Sequence, residues 1–198
     1  VNEAEQRARI EAIARSWIGT PYHVHAEIKG VGVDCGRLLA LVFEEAGFGK
    51  IRRTFVSPQF WMHSAKEVFL ENVLEYTREI PESEAKPGDV VLYKMGLAYG
   101  HGAIIVSPGW PHAVIHAPGP KRCVICTHGR QGTLVKSIRA PRFFTRWMVG
   151  RTNGLILNRA IRRPWQTDTA AGCGAARHHV AARRADPMAV GGTAEATR

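Results

Sequence analysis

Between residues 90 and 167 the chain has no aspartate and no glutamate, against 12 lysines and arginines. Any chemistry that needs a carboxylate from that stretch is excluded. No apolar run approaches the ~20 residues of a membrane-spanning helix, so no membrane span is expected. The first residues, with Asn2, Glu3, Glu5, Arg7 and Arg9, lack the apolar core of a secretory signal, so the protein is expected to be made in the cytoplasm and not exported by such a signal. Cysteines are few, 4 in 198 residues at positions 35, 123, 126 and 173. Their irregular spacing argues against a disulfide framework and for reduced thiols, as in a bacterial cytosol. There is no internal repeat.

What is present is enough apolar material, 45% of the chain, for one core. Ordinary domain sizes put that core in roughly 150 residues, here 1–150, with 151–198 as a basic, Ala/Arg-rich extension. After Trp165 the large apolar residues thin to Val180, Met188 and Val190, too few to offset ordering entropy, so disorder is expected there. The net charge of +10 is uneven: residues 1–89 carry 11 basic against 14 acidic side chains, and residues 168–198 carry 4 against 3. The basic middle block suits nucleic acid, an anionic polymer or a carboxylate-rich peptide, each with salt-sensitive attraction. Charge alone does not choose among them.

The order of elements reads as helices first and strands after. Ile10, Ile13, Ala14, Trp17 and Ile18 share one face, and Asn2 with Glu5 three residues on makes a capping pair, which predicts a helix over 3–18. Leu38, Leu39, Val42, Phe43 and Ala46 predict an amphipathic helix over 35–46, capped by Asp34 and ended by Gly47. Ser57-Pro58 could open a third helix carrying Phe60, Trp61, Val68, Phe69 and Leu74. Pro87-Gly88-Asp89 signals a turn. Short apolar runs at 90–93, 103–106, 113–117, 123–127 and 143–149 follow, a strand meander expected to pack on the Cys35 helix in an α+β fold.

Cys35 falls in the first turn of its helix, where exposed amides favour thiolate over thiol; Asp34 opposes this, so a cationic neighbour is needed. A cysteine nucleophile also needs an imidazole to take and return its proton, and that imidazole needs an orienting partner. The strand half offers His101, just before the run at 103–106, and His116, in the next run. Because that half has no acid, the orienting group should be neutral. His116 is best placed, ahead of Gln131 and Asn153.

These residues form an ordered set: Ala14-Arg15-Ser16-Trp17-Ile18-Gly19-Thr20-Pro21-Tyr22, Lys29-Gly30-Val31-Gly32-Val33-Asp34-Cys35, Pro87-Gly88-Asp89-Val90, His101-Gly102 and Ile115-His116-Ala117. The set, over residues 8–148, resembles the NlpC-type cell-wall cysteine peptidases, with most likeness to the phage and gene-transfer-agent tail branch. The resemblance implies a papain-like α+β fold and hydrolysis of peptidoglycan stem peptides, typically between the D-glutamate γ-carboxyl and a diamino acid. It implies Cys35 as nucleophile, His101 as general base and His116 as its orienting residue. It further implies Tyr22 at the border of the oxyanion site and Asp34 as the acid that, in some relatives, contacts the substrate's amine. Partners would be stem peptides and proteins of a phage-like tail or baseplate, with action at the cell wall from such a particle. No cofactor is implied. The pair Gly36-Arg37 departs from the pattern, and Arg37 is expected to stabilise the thiolate or alter substrate choice.

Three other readings attach to the same residues. The fold could serve in tail assembly or hub binding without catalysis. Cys123 and Cys126, with His112, His116 and His128 nearby, suit zinc only if a turn intervenes, since residues three apart on a strand face opposite ways, and no metal is expected. Nucleic-acid binding is disfavoured because Phe143, Phe144 and Trp147 are the few aromatics among the basic residues.

Overall fold

The computed structural model describes residues 1–51, 65–109, 111–136 and 140–147. The helix start expected at Ser57-Pro58, the candidate Asn153 and the extension 151–198 lie outside the described residues. Helix α1 (Glu3–Ser16) opens on the capping box read from the sequence: Asn2 Oδ1 accepts from Glu5 N at 2.9 Å, and Glu5 accepts from Asn2 N at 3.0 Å. It buries Ile10 and Ala14, and Trp17 follows into the core. A small antiparallel hairpin, β1 (Glu27–Ile28) and β2 (Gly32–Val33), leads into α2 (Cys35–Glu45). Asp34 caps α2 by accepting from Arg37 N at 2.9 Å. A shorter helix, α3 (Val68–Leu74), buries Phe69 and Leu70.

The strands are β3 (Arg78–Ile80), β4 (Val90–Met95), β5 (Ala98–Ile105), β6 (Ala113–His116), β7 (Ile125–His128) and β8 (Arg142–Thr145). They form one antiparallel sheet in the order β3-β8-β4-β5-β6-β7. Both faces are covered. Val90, Leu92, Ile104, Ile115 and Phe144 pack with the helices, while Val91, Tyr93, Ala103, Ile105, Val114 and Phe143 pack on the other side with Leu134. Two covered faces explain why these strands read as unbroken apolar runs rather than alternating ones.

Two features set the distance between helices and sheet. At Gly102 a Cβ would come within 2.7 Å of Leu39 and 3.0 Å of Phe69, so only glycine lets α2 and α3 settle this close to β5. The expected turn at Pro87-Gly88-Asp89 is tied to α1 by Arg7, whose Nη1 donates to Pro87 O at 2.8 Å and Asp89 Oδ1 at 2.9 Å. The buried Asp89 carboxylate also accepts from Thr145 Oγ1 at 2.6 Å and Lys86 N at 2.9 Å. With these three donors it satisfies the rule that a buried charge must be paired and hydrogen-bonded.

One expectation is corrected. His101 lies inside β5, not before it, because the strand begins at Ala98 and runs through Gly100 and Gly102. The segment after Leu74 holds β3, paired with β8, and a 3-10 turn at Glu82–Glu84.

Candidate active site

The site forms where β5 loses a neighbour. Ile105 directs its N–H and C=O to Asp89 O and Gly88 N on the β4 side, and Val106 N–H reaches Ala113 O on the β6 side. Strand alternation therefore turns Gly102 toward β6. The β5–β6 ladder, however, pairs only Ile104 with Ile115 and Ile105 with Val114. Cys35 occupies the flank left open. Its thiol donates to Gly100 O at 3.9 Å, and the N–H groups of Gly102, Gly36 and Cys35 itself are aimed at the sulfur. Gly100 is the extra residue of a β-bulge, where one step on β4 from Tyr93 to Lys94 faces two on β5. Such bulges re-aim the side chains beside them.

Between these glycines, His101 turns its ring toward Tyr93, with centroids 6.3 Å apart. His101 Nε2 lies 2.7 Å from His116 Nδ1, and His116 Nε2 lies 3.0 Å from Thr127 Oγ1. All but the last are sealed from solvent: Cys35 is 2% exposed, His101 8% and His116 1%. The structure thus pairs the two imidazoles with each other and sets the thiol against the backbone of Gly100 and Gly102, the residues on either side of His101. Gln131 stands elsewhere, exposed, with its amide oxygen accepting from His128 N at 3.4 Å. Thr127 was not singled out from sequence. Strand periodicity through 123–127 was the signal that would have placed it on the His116 face.

Charge on the helix side is fully engaged. Asp34 Oδ1 accepts from Arg37 N, and Oδ2 accepts from Arg37 Nη1 at 2.7 Å and His25 N at 2.9 Å. His25 adopts a left-handed φ of 65° to aim that N–H. Arg37 Nε also donates to Glu27 Oε1 at 3.1 Å. Arg37 therefore neutralises Asp34 beside the sulfur. Tyr22 is half-buried, bridged to Val33 and packed on Gly119. Burial, then the charges of Cys35 and Asp34, push its phenol pKa up, so it keeps its proton.

Burial also reverses the expected direction at the thiol. It pushes Cys35 up to about 12, assisted by Asp34, and the three N–H groups offset this only in part. Burial pushes His101 down to about 3, with the nearby His116 charge adding to it, and burial alone pushes His116 down to about 4. Near neutral pH the resting site holds a thiol and two uncharged imidazoles. Cys123 is half-buried in a bridge with Pro21, and Cys126 is exposed on β7. Among the described residues no group of three or more His, Cys, Asp or Glu is placed to hold a metal ion.

No family model matches the chain, and no curated protein matches it. Solved structures do. The NlpC/p60 domain of the peptidoglycan hydrolase SagA is 25% identical over 73% of this chain and 97% of its own, with a TM-score of 0.47. A Staphylococcus aureus protein of the NLP/P60 family, described as similar to lipoprotein, is 19% identical over 72% of this chain and 42% of its own, with a TM-score of 0.50. NlpC1 from Trichomonas vaginalis is 16% identical over 74% of this chain and 45% of its own, with a TM-score of 0.52. This chain matches less than half the length of each of the latter two, and at such identities the likeness is one of fold. Three helices on an antiparallel sheet, with Cys35 opening the second helix, give this chain the α+β fold of NlpC/p60 domains.

Proposed function

We propose that this protein is a cysteine peptidase that hydrolyses peptidoglycan stem peptides, at the bond between a D-glutamate γ-carboxyl and a diamino acid. One observation supports the reading: a helix-opening thiol lies against the β5 backbone at Gly100, next in sequence to His101, whose ring is hydrogen-bonded to the buried His116. The motif set over residues 8–148 supplies the substrate class, and the fold likeness supports it.

Cys35 Sγ attacks the scissile carbonyl carbon while His101 Nδ1, the nitrogen that His116 does not engage, takes the thiol proton. With the thiol held high and the imidazole held low, this transfer is uphill at rest and proceeds as the C–S bond forms. His101 Nε2–H then donates to His116 Nδ1, which stabilises the imidazolium. The oxyanion is met by the Cys35 N–H and the Tyr22 hydroxyl. The tetrahedral intermediate collapses, the C–N bond breaks, and His101 returns its proton to the departing amine. Water, deprotonated by His101, cleaves the thioester and restores the thiol. Asp34, committed to Arg37 and His25, holds the helix start in place.

The protein is made in the bacterial cytoplasm and acts at the wall from a phage-like tail particle, in company with tail or baseplate proteins. Mass analysis of muropeptides after digestion tests the enzymatic reading. Wild type should release the stem-peptide products and Cys35→Ala should not; equal hydrolysis by both removes the mechanism. A second reading, a tail-assembly protein that keeps the fold and has lost the reaction, is favoured by one observation, the seal over Cys35. It is supported if purified stem peptides stay intact and thiol reagents label Cys35 no faster than Cys123.

A further inference from the structure

We propose that Thr127 is a positioning residue that holds His116 in its Nε2–H tautomer and thereby keeps His101 Nδ1 bare to receive the Cys35 proton. The proposal deepens the peptidase reading and rests on it for its kinetic consequence, though not for the tautomers themselves. Thr127 stands on β7 opposite Val114, two pairs along the ladder from the His116–Ile125 pair and so on the same face as His116, with its Oγ1 3.0 Å from His116 Nε2.

The chain of donors allows one order in the reactive state. Once His101 carries the thiol proton, Nδ1 and Nε2 are both protonated, so Nε2–H must donate across the 2.7 Å contact to His116 Nδ1. His116 Nδ1 must then be bare. Its single proton sits on Nε2 and needs an acceptor, which Thr127 Oγ1 supplies. With His116 in the opposite tautomer, its Nδ1–H would point at His101 Nε2 and leave the His101 proton on Nδ1, where it blocks the base.

A hydroxyl suits this position because it accepts without carrying charge. A carboxylate there would draw His116 toward imidazolium, and an imidazolium cannot accept from His101. Tyr93 from β4 lies beside the His101 ring and Thr127 from β7 beside the His116 ring. Burial holds both rings toward their uncharged forms. The acid-free stretch of 90–167 thus ends its hydrogen-bond chain on a neutral oxygen.

Long-range proton–nitrogen correlation spectra of the full chain labelled with nitrogen-15 histidine read each tautomer directly, and steady-state kinetics on purified stem peptides read the consequence. Wild type should show protons on Nε2 of both His101 and His116. Thr127→Val, close in shape but with no acceptor, should move the His116 proton toward Nδ1 and lower kcat about tenfold to a hundredfold with KM little changed. Thr127→Ser should keep the wild-type tautomers and most of kcat. A Thr127→Val spectrum identical to wild type overturns the proposal, and so does a wild-type spectrum with the proton on His116 Nδ1, which needs no variant to fold. If the tautomers respond as stated but wild type leaves every stem peptide intact, the assignment of Thr127 stands and the peptidase reading falls.

Discussion

On the Cys35 side of the site the polar groups are ions held in pairs, Asp34 with Arg37 and Arg37 with Glu27; on the histidine side they are neutral, from His101 through His116 to Thr127. The first arrangement cancels a negative charge beside a sulfur that must become negative. The second has no fixed charge that would trap a proton away from His101. Together they leave the resting site without a separated ion pair, and in the proposed reaction the charge separation is created only when substrate is attacked. Burial, which raises the thiol and lowers the imidazoles, is common to both sides.

Removing the base should break the comparison most severely. His101→Ala should lower kcat by about 10²–10⁴-fold, with substrate binding largely kept, since only the proton acceptor is lost. Single-turnover hydrolysis of stem peptides measures this, and a loss under about threefold would contradict the role given to the histidine side. Next in size is the ion pair. Arg37→Ala leaves the Asp34 carboxylate 6% exposed with only backbone donors, which should cost about 3–5 kcal/mol of stability. The double variant Asp34→Asn, Arg37→Met removes both charges and should cost clearly less than Arg37→Ala alone. Urea unfolding of wild type and the two variants tests this, and a double variant that costs as much as Arg37→Ala or more would show that the pair does not act as a unit.

How much of this was legible depends on whether the cause is local. Asn2 and Asp34 announced their helices because a cap is written within four residues, and Pro87-Gly88-Asp89 announced its turn for the same reason. The meeting of His101 with His116 was inferable from adjacent strands and the lack of any acid nearby. What could not be read depends on burial and on distant neighbours. The hairpin of β1 and β2 is two residues per strand, below any periodic signal. That β5 starts as early as Ala98 could not be read, because the bulge at Gly100 and the close approach of Leu39 and Phe69 to Gly102 come from distant neighbours. The thiol's direction was misread because a helix start is visible in sequence, whereas the desolvation that outweighs it is not. The pairing of Arg37 with Asp34 shows only in the folded cap.

A smaller effect sharpens the histidine side. Both imidazoles are uncharged in the folded protein, near 3 and 4, against an ordinary value of 6.5. Between those values the unfolded chain binds more protons, so stability is fully present above about pH 6.5 and falls as pH drops toward the folded values. The slope should approach about 1.4 kcal/mol per pH unit for each histidine. Denaturation at pH 7 and pH 5 measures it, and the pair His101→Gln, His116→Gln should flatten it. A slope unchanged by that pair would mean that other groups carry the acid sensitivity.

The smallest expected effect uses the chemistry of the Asp34–Arg37 pair without its burial. Glu79 on β3 and Arg142 on β8 pair in good geometry, Arg142 Nε donating to Glu79 Oε1 at 2.6 Å, but their side chains are 44% and 30% exposed. The guanidinium holds the Glu79 carboxyl below its usual range, so the pair forms at neutral pH. In water-rich surroundings, however, the gain is screened and the two side chains lose freedom in making it. Glu79→Gln should therefore change stability by less than about 1 kcal/mol, and the difference should shrink in molar salt. Arg37→Ala should keep its cost in the same salt, because its pair is out of reach of ions. If the two variants respond to salt alike, burial is not what distinguishes the charged side of the site from the protein's surface.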